Sequence, residues 1–187
     1  MTAMMYRALA LAVLGGVMSL LDAAPDAQAD TTYRRESASR FTVEVPSHWS
    51  VAQRDDDPAA IVFKVVEEAA GQPTASCVFR AMDAAELFAG RSAIEIEKTR
   101  DYVISPAGMR TGLPEDERGL EWGRTSISGE KAGLLVTQNP EASVRRLSVM
   151  AMTEKATYFV VCSTHAAMFD DRRKVFERIL ASFVILE

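Results

Sequence analysis

Thr157–Phe183 reads TYFVVCSTHAAMFDDRRKVFERILASF, and the fold is decided by the change of pattern inside it. Thr157–Ser163 is a β-branched and aromatic run of strand character. From Ala166 to Phe183 the period changes: Met168, Phe169, Val175, Phe176, Ile179, Leu180 and Phe183 form one apolar stripe, with Asp170, Asp171, Arg173, Lys174, Glu177 and Arg178 mostly on the other side. Thr164 or Ser163 is placed to cap this helix, and the early aspartates suit its dipole. Such a helix lies on a sheet and buries several large side chains, at ~1.5–3 kcal/mol each.

Upstream, Arg124–Ser128, Lys131–Gln138 and Ser143–Thr153 read as three more strands. Their separators, Ser128-Gly129-Glu130, Asn139-Pro140-Glu141 and Glu154-Lys155-Ala156, are short enough for antiparallel hairpins, so a meander is expected. Nearer the N-terminus, Phe41–Val45 alternates inward Phe41, Val43 and Val45 with outward Thr42 and Glu44. Pro46-Ser47-His48 turns the chain and Trp49–Ala52 begins a second strand. Arg54–Pro58 (RDDDP) has turn chemistry. Ile61–Val66 and Ala75–Ala81 are strands joined through Gly71-Gln72-Pro73. Helix is expected from about Asp83, and Ser92–Tyr102 is read as helical, although Ile94-Glu95-Ile96 also alternates like a strand. Pro106, Gly108, Gly112 and Pro114 then point to a long loop over Ser105–Gly123, with a short helix around Glu115–Leu120.

Two parts of the chain resemble the PsbP/Mog-like superfamily, which includes DcrB-like periplasmic proteins. Phe41-Thr42-Val43-Glu44-Val45-Pro46-Ser47-His48-Trp49 is similar to its opening, a strand followed by Pro, two residues and Trp. The Tyr158–Cys162 strand, the Ser/Thr turn and the helix closing in Ala181-Ser182-Phe183 are similar to its ending. The resemblance covers most of Arg35–Leu186. It implies an α/β/α sandwich around a mainly antiparallel sheet, with the long C-terminal helix packed on it. It implies no shared activity, because members range from photosystem accessory subunits to small-GTPase, lipid or envelope binders.

Residues 1–29 follow the plan of a secretory signal peptide: Arg7 as the positive region, the uncharged run Ala8–Leu21, then Ala27-Gln28-Ala29 ahead of a cleavage site before Asp30. Fourteen residues at 1.5 Å each give roughly 21 Å of helix against a hydrocarbon core of about 30 Å, too short for a retained span. No cysteine stands near the cleavage site, which argues against a lipid anchor. Removing 29 of the 187 residues leaves a chain the size of one domain, 30–187, with no further membrane span. A periplasmic or secreted location follows. Arg outnumbers Lys 16 to 5, a bias common in GC-rich coding sequence, and with the leader this suggests a bacterial exported protein.

Composition removes several activities. With 21 Lys+Arg against 26 Asp+Glu, net charge −5, there is no basic footprint for nucleic acid. Two cysteines cannot build a four-thiolate zinc site, and no phosphate-binding glycine loop, G-x-S-x-G elbow or H-E-x-x-H motif occurs. No cofactor is implied. Cys77 and Cys162 sit mid-strand among apolar neighbours, and in an exported protein such a pair is expected to form a disulfide. His48 and His165 stand at turns, without a nucleophile context. Asp55, Asp56 and Asp57 are a solvated turn or a weak divalent-cation site; consecutive aspartates cannot all face one ion. The remaining candidate is the Ser105–Gly123 loop, where Met109, Arg110, Leu113 and Trp122 offer a binding surface. The leading expectation is therefore a non-enzymatic binding or accessory protein for a protein or small ligand of the cell envelope. The alternatives are a small hydrolase using one histidine and a structural envelope subunit.

Overall fold

Alternation of apolar and polar residues builds the strands, and local capping builds the helices. Phe41, Val43 and Val45 are fully buried while Thr42 and Glu44 between them are half-buried, the period-two signature of a strand covered on one side. The structure, a computed structural model, describes residues 31–57, 60–111 and 116–186, with backbone alone for Asp56, Asp57 and Ala60. The elements are β1 (Tyr33–Ala38), β2 (Phe41–Pro46), β3 (Ser50–Asp57), β4 (Ala60–Ala69), β5 (Gln72–Asp83), α1 (Ala85–Phe88), α2 (Ala93–Val103) and α3 (Pro106–Arg110). They continue with β6 (Arg118–Ile127), β7 (Glu130–Asn139), β8 (Val144–Met152), β9 (Ala156–His165), α4 (Phe169–Ala181) and β10 (Val184–Ile185), a 3-10 turn at Ala166–Met168 leading into α4.

Two antiparallel sheets result. The larger has strand order β3-β4-β5-β9-β8-β7-β6, the smaller β1-β2-β10. The expected meander is β6 to β9, and its last strand pairs with β5 at the centre. One side of the large sheet is covered by α4 and the small sheet. Phe79 of β5, Tyr158 of β9, Phe41 of β2 and Phe183 after α4 are all essentially buried there. The Phe41 and Phe183 rings stack at 4.9 Å, Phe79 stacks on Phe183 at 6.2 Å, and Tyr158 meets Phe183 edge-on at 6.0 Å. Ser182 fixes the end of α4 to β2, its hydroxyl accepting from the Glu44 amide at 2.8 Å.

On the other side the helices cover only part of the sheet. Ser92 caps α2 in a reciprocal box, accepting from the Glu95 amide while the Glu95 carboxylate accepts from the Ser92 amide at 2.8 Å. Ser105 caps α3, with Pro106 in its first turn. Ala84, Phe88 and Met152 form a second, smaller apolar cluster, with Ile96 and Val103 against it. Gly133 of β7 brings the backbone close to this layer, since an added Cβ would collide with Met109 Sδ and the Ile104 carbonyl. The architecture is thus the α/β/α sandwich, with sixteen residues from Ala166 to Ala181 in the C-terminal helical run.

Several local expectations are corrected. Arg54–Asp57 is strand rather than turn, Pro58 lying outside the described residues. An edge strand tolerates the charge, because Arg54 lies 5.0 Å above the Phe63 ring and pairs with Glu36 at 2.5 Å. In place of a loop with a helix near Glu115–Leu120, the chain makes α3 and then enters β6 at Arg118. Backbone pairing with β7 holds β6 without needing apolar alternation. The helical run is capped by His165, whose Nδ1 accepts from the Ala167 amide at 3.3 Å, not by Ser163 or Thr164. Those two are still strand residues, and Thr164 donates to the Thr74 carbonyl at 2.7 Å. β1 and β10 were not anticipated. Residues 1–29, the leader, lie outside the described residues; among those that are described, no helix is long and apolar enough to cross a membrane.

Candidate functional site

Register places three rows of side chains on the less covered side of β4, β5 and β9. Val66, Ser76 and Ser163 form one row, Lys64, Val78 and Val161 the next, and Val62, Arg80 and Phe159 the third. Their chain neighbours Phe63, Val65, Cys77, Phe79, Val160 and Cys162 point the other way and are buried. The three rows are different. Val62, Lys64, Val78, Phe159 and Val161 are only half-buried and Arg80 is exposed, because α2 and α3 sit farther along, over β8 and β7. The result is an apolar strip with two cations in it. Neither Lys64 nor Arg80 has a hydrogen bond or ion pair among the described residues. The strip ends at the hydroxyls of Ser76 and Ser163, 3.0 Å apart. Beyond them Arg146 is neutralised by Glu117, which also accepts from Thr137 at 2.8 Å.

Hydrophobic strands with an uncovered half and unpaired cations suit an anionic ligand that brings its own apolar groups. Several other cations are engaged. Arg34 serves Glu36 and the Trp49 carbonyl, Arg172 serves Glu67 at 3.0 Å, and Arg173 holds both oxygens of Glu121 at 2.7 and 2.9 Å.

Of the residues singled out from the sequence, Met109, Arg110 and Trp122 lie where α3 meets β6 and β7, and the others lie elsewhere. Met109 is 5% exposed and packs toward Gly133, so it holds α3 down. Arg110 is exposed, its guanidinium lying over Gly119. Trp122 is on β6 opposite Leu135 and 37% exposed. Leu113 lies outside the described residues. Asp55 is in β3, and the side chains of Asp56 and Asp57 are outside the description; among the described residues, no three metal-type side chains come together. Cys77 and Cys162 are directly opposed on β5 and β9, with Cα atoms 4.0 Å apart and sulfurs at disulfide distance.

Sequence reasoning missed two features. His48 Nε2 lies 3.3 Å from the largely buried Glu67 carboxylate, a contact across nineteen residues that no local motif announces. The hydroxyl touching this pair, Thr74 Oγ1, donates to Glu67 at 3.0 Å rather than to the imidazole, and among the described residues no hydroxyl or thiol is hydrogen-bonded to the His48 ring. The second is a cleft of about 240 Å³ between α4 and the β6–β7 edge, floored by Leu134, Val149 and Leu180. Its carboxylate, Glu177, already accepts from Arg173 at 2.8 Å.

No family model and no curated protein sequence matches the chain. Among solved structures, cyanobacterial PsbP from Synechocystis is similar over 87% of this chain and 98% of its own, with TM-score 0.51 and 12% identity. The protein of unknown function PA94 from Pseudomonas aeruginosa matches 80% of this chain and 94% of its own, with TM-score 0.43 and 14% identity. LpqN, involved in cell envelope biogenesis of Mycobacterium tuberculosis, matches 83% and 91%, with TM-score 0.46 and 12% identity. At these identities the likeness is one of fold, and of the three only the PsbP structure is near enough to carry it. The fold is PsbP-like.

Proposed function

We propose that this protein is exported and acts without catalysis, as an accessory protein that holds an acidic segment of an envelope partner against the open face of β4, β5 and β9. The observation that carries the reading is the pair Lys64 and Arg80, unpaired among the described residues on an apolar strip, in a chain whose net charge is −5. Two unpaired cations on an acidic protein select an anionic partner and disfavour another surface of the same sign as theirs. The valines and Phe159 supply area to bury. Export rests on the leader at 1–29 and on the opposed Cys77 and Cys162, and membership of the PsbP/Mog-like superfamily on the Phe41–Trp49 and Tyr158–Phe183 motifs together with the fold. The single domain is 30–187.

A photo-crosslinking residue at Val78 tests the reading in the exporting cell, with the same residue at Asp171 on α4 as reference. A protein adduct formed from position 78, absent from 171 and lost on Lys64→Glu with Arg80→Glu, is the expected result. Adducts that survive the charge reversal, or none at 78, reject the open face. N-terminal sequencing of the envelope form should begin at or near Asp30, and an intact Met1 rejects export with cleavage.

A further inference from the structure

A strand at the rim of a sheet leaves one row of backbone N–H and C=O groups without a sheet partner, and the two rims of the large sheet are treated differently. At β3 the register breaks between Val51 and Gln53, three aspartates follow in succession, and Arg54 ties the strand to Glu36 of β1. β6 breaks register once, between Gly119 and Glu121, and then pairs regularly with β7 as far as Ile127. Over the regular part Glu121, Trp122, Arg124, Thr125 and Ser126 are exposed, and nothing lies within 4 Å of where a Gly123 Cβ would be. Among the described residues, no strand pairs with the outer side of β6.

The geometry points to β6 as a self-association edge, through which two copies of this chain join antiparallel over Glu121–Thr125, centred on Gly123. A two-fold axis perpendicular to the sheet carries each face into itself, so directly opposed residues must share a face, and the centre falls on a residue. Centring on Gly123 sets Trp122 opposite the partner's Arg124 and, by symmetry, Arg124 opposite the partner's Trp122. Glu121 then faces the partner's Thr125. Centring on Arg124 would oppose two guanidinium groups, and centring on Trp122 would run the pairing into the Gly119–Glu121 bulge. Directly opposed residues come within ~4.5–5.5 Å, near enough for an indole and a guanidinium to stack twice across the axis. The Glu121 charge is already held by Arg173, so it does not compete for Arg124. This edge is separate from the open face, and neither reading depends on the other.

The contact is small, so the dimer is reversible. Sedimentation of the protein should show the average mass rising from one chain toward two as concentration increases. Trp122→Ala should weaken association about tenfold through loss of the two stacked pairs. Register is read by cysteine crosslinking. Gly123→Cys should oxidise to a covalent dimer, because the two copies of residue 123 are opposed on the axis. Thr125→Cys should crosslink at least tenfold more slowly, since each copy faces the partner's Glu121 instead. A mass that stays at one chain at every concentration overturns the proposal. So does crosslinking at 125 as fast as at 123, or dimerisation unchanged by Trp122→Ala in a variant that melts like the wild type.

Discussion

Val78 and Phe79 are adjacent in β5 and lie on opposite sides of one sheet, and that one-residue step separates two environments. Phe79 is fully buried among Phe41, Phe63 and Phe183. Val78 is half-buried beside Lys64 and Val161. The same alternation holds along β4 and β9. Both sides of these strands are apolar, yet α4 and the small sheet cover only one of them. Apolar residues on a strand therefore show what the strand can bury and not what is buried; the cover comes from the placement of other elements.

The strongest test of that contrast is mutation at adjacent positions. Phe79→Ala should cost about 3–5 kcal/mol, as removal of a packed ring does, with most of it from the cavity left among the aromatics. Val78→Ala should cost less than about 1 kcal/mol, because its side chain is already part-solvated. Denaturant titration of both variants measures the ratio. Equal losses would mean that the strip carrying Val78 is covered in solution.

The next effect concerns Cys77 and Cys162, which belong to the covered side of the same two strands. A bond between positions separated by 85 residues restricts the unfolded chain over a long loop. Cys77→Ala with Cys162→Ala should therefore cost about 2–4 kcal/mol. Alkylation of unreduced, unfolded protein should label neither thiol, and two labels would show that the sulfurs are free. Were the cysteines on the open side, reductant would reach them in the native state. Buried behind α4, they should resist it until the protein opens.

The contrast between the two sides was only half written in the sequence. The apolar stripe of Ala166–Phe183 and the run Thr157–Ser163 carried the last strand and helix, because strong periodicity survives most tertiary contexts. The hairpin separators carried the meander. The first part of β6 was invisible, since GLEWG has two glycines and no alternation and only pairing with β7 makes it a strand, whereas its end lies in the Arg124–Ser128 run that reads as a strand. The RDDDP stretch misled because turn residues also occur in charged edge strands, where one side of the backbone faces water. Lys64 and Arg80 stand inside IVFKVV and ASCVFRA, runs that are legible only as strands. Their isolation became visible only when α1 to α3 proved to lie over β7 and β8. The His48–Glu67 contact joins a turn to the end of β4, and no spacing rule brings those together.

The smallest effect distinguishes a clip on the covered side from unpaired charge on the open one. Glu121 of β6 meets Arg173 of α4, and the hydrogen bonds from that guanidinium hold its carboxyl below the usual carboxylate range. A carboxyl whose pKa is lower folded than unfolded contributes stability above its ordinary pKa and loses it as pH falls through the folded value. The contribution is therefore complete at neutral pH and disappears on the acid side of about pH 4. Both side chains are about a third exposed or more, so solvent screening limits it to about 0.5 kcal/mol or less. Glu121→Gln should lower stability slightly at pH 7 and leave it unchanged at pH 2.5, flattening the acid limb of the stability curve by that amount. Lys64→Ala with Arg80→Ala should leave the acid limb parallel to the wild type, because neither cation is ion-paired with a carboxylate among the described residues. If removing the two cations flattened the acid limb as much as Glu121→Gln does, an acidic group would be paired with them in the free protein, and the open face would not be available to an acidic partner.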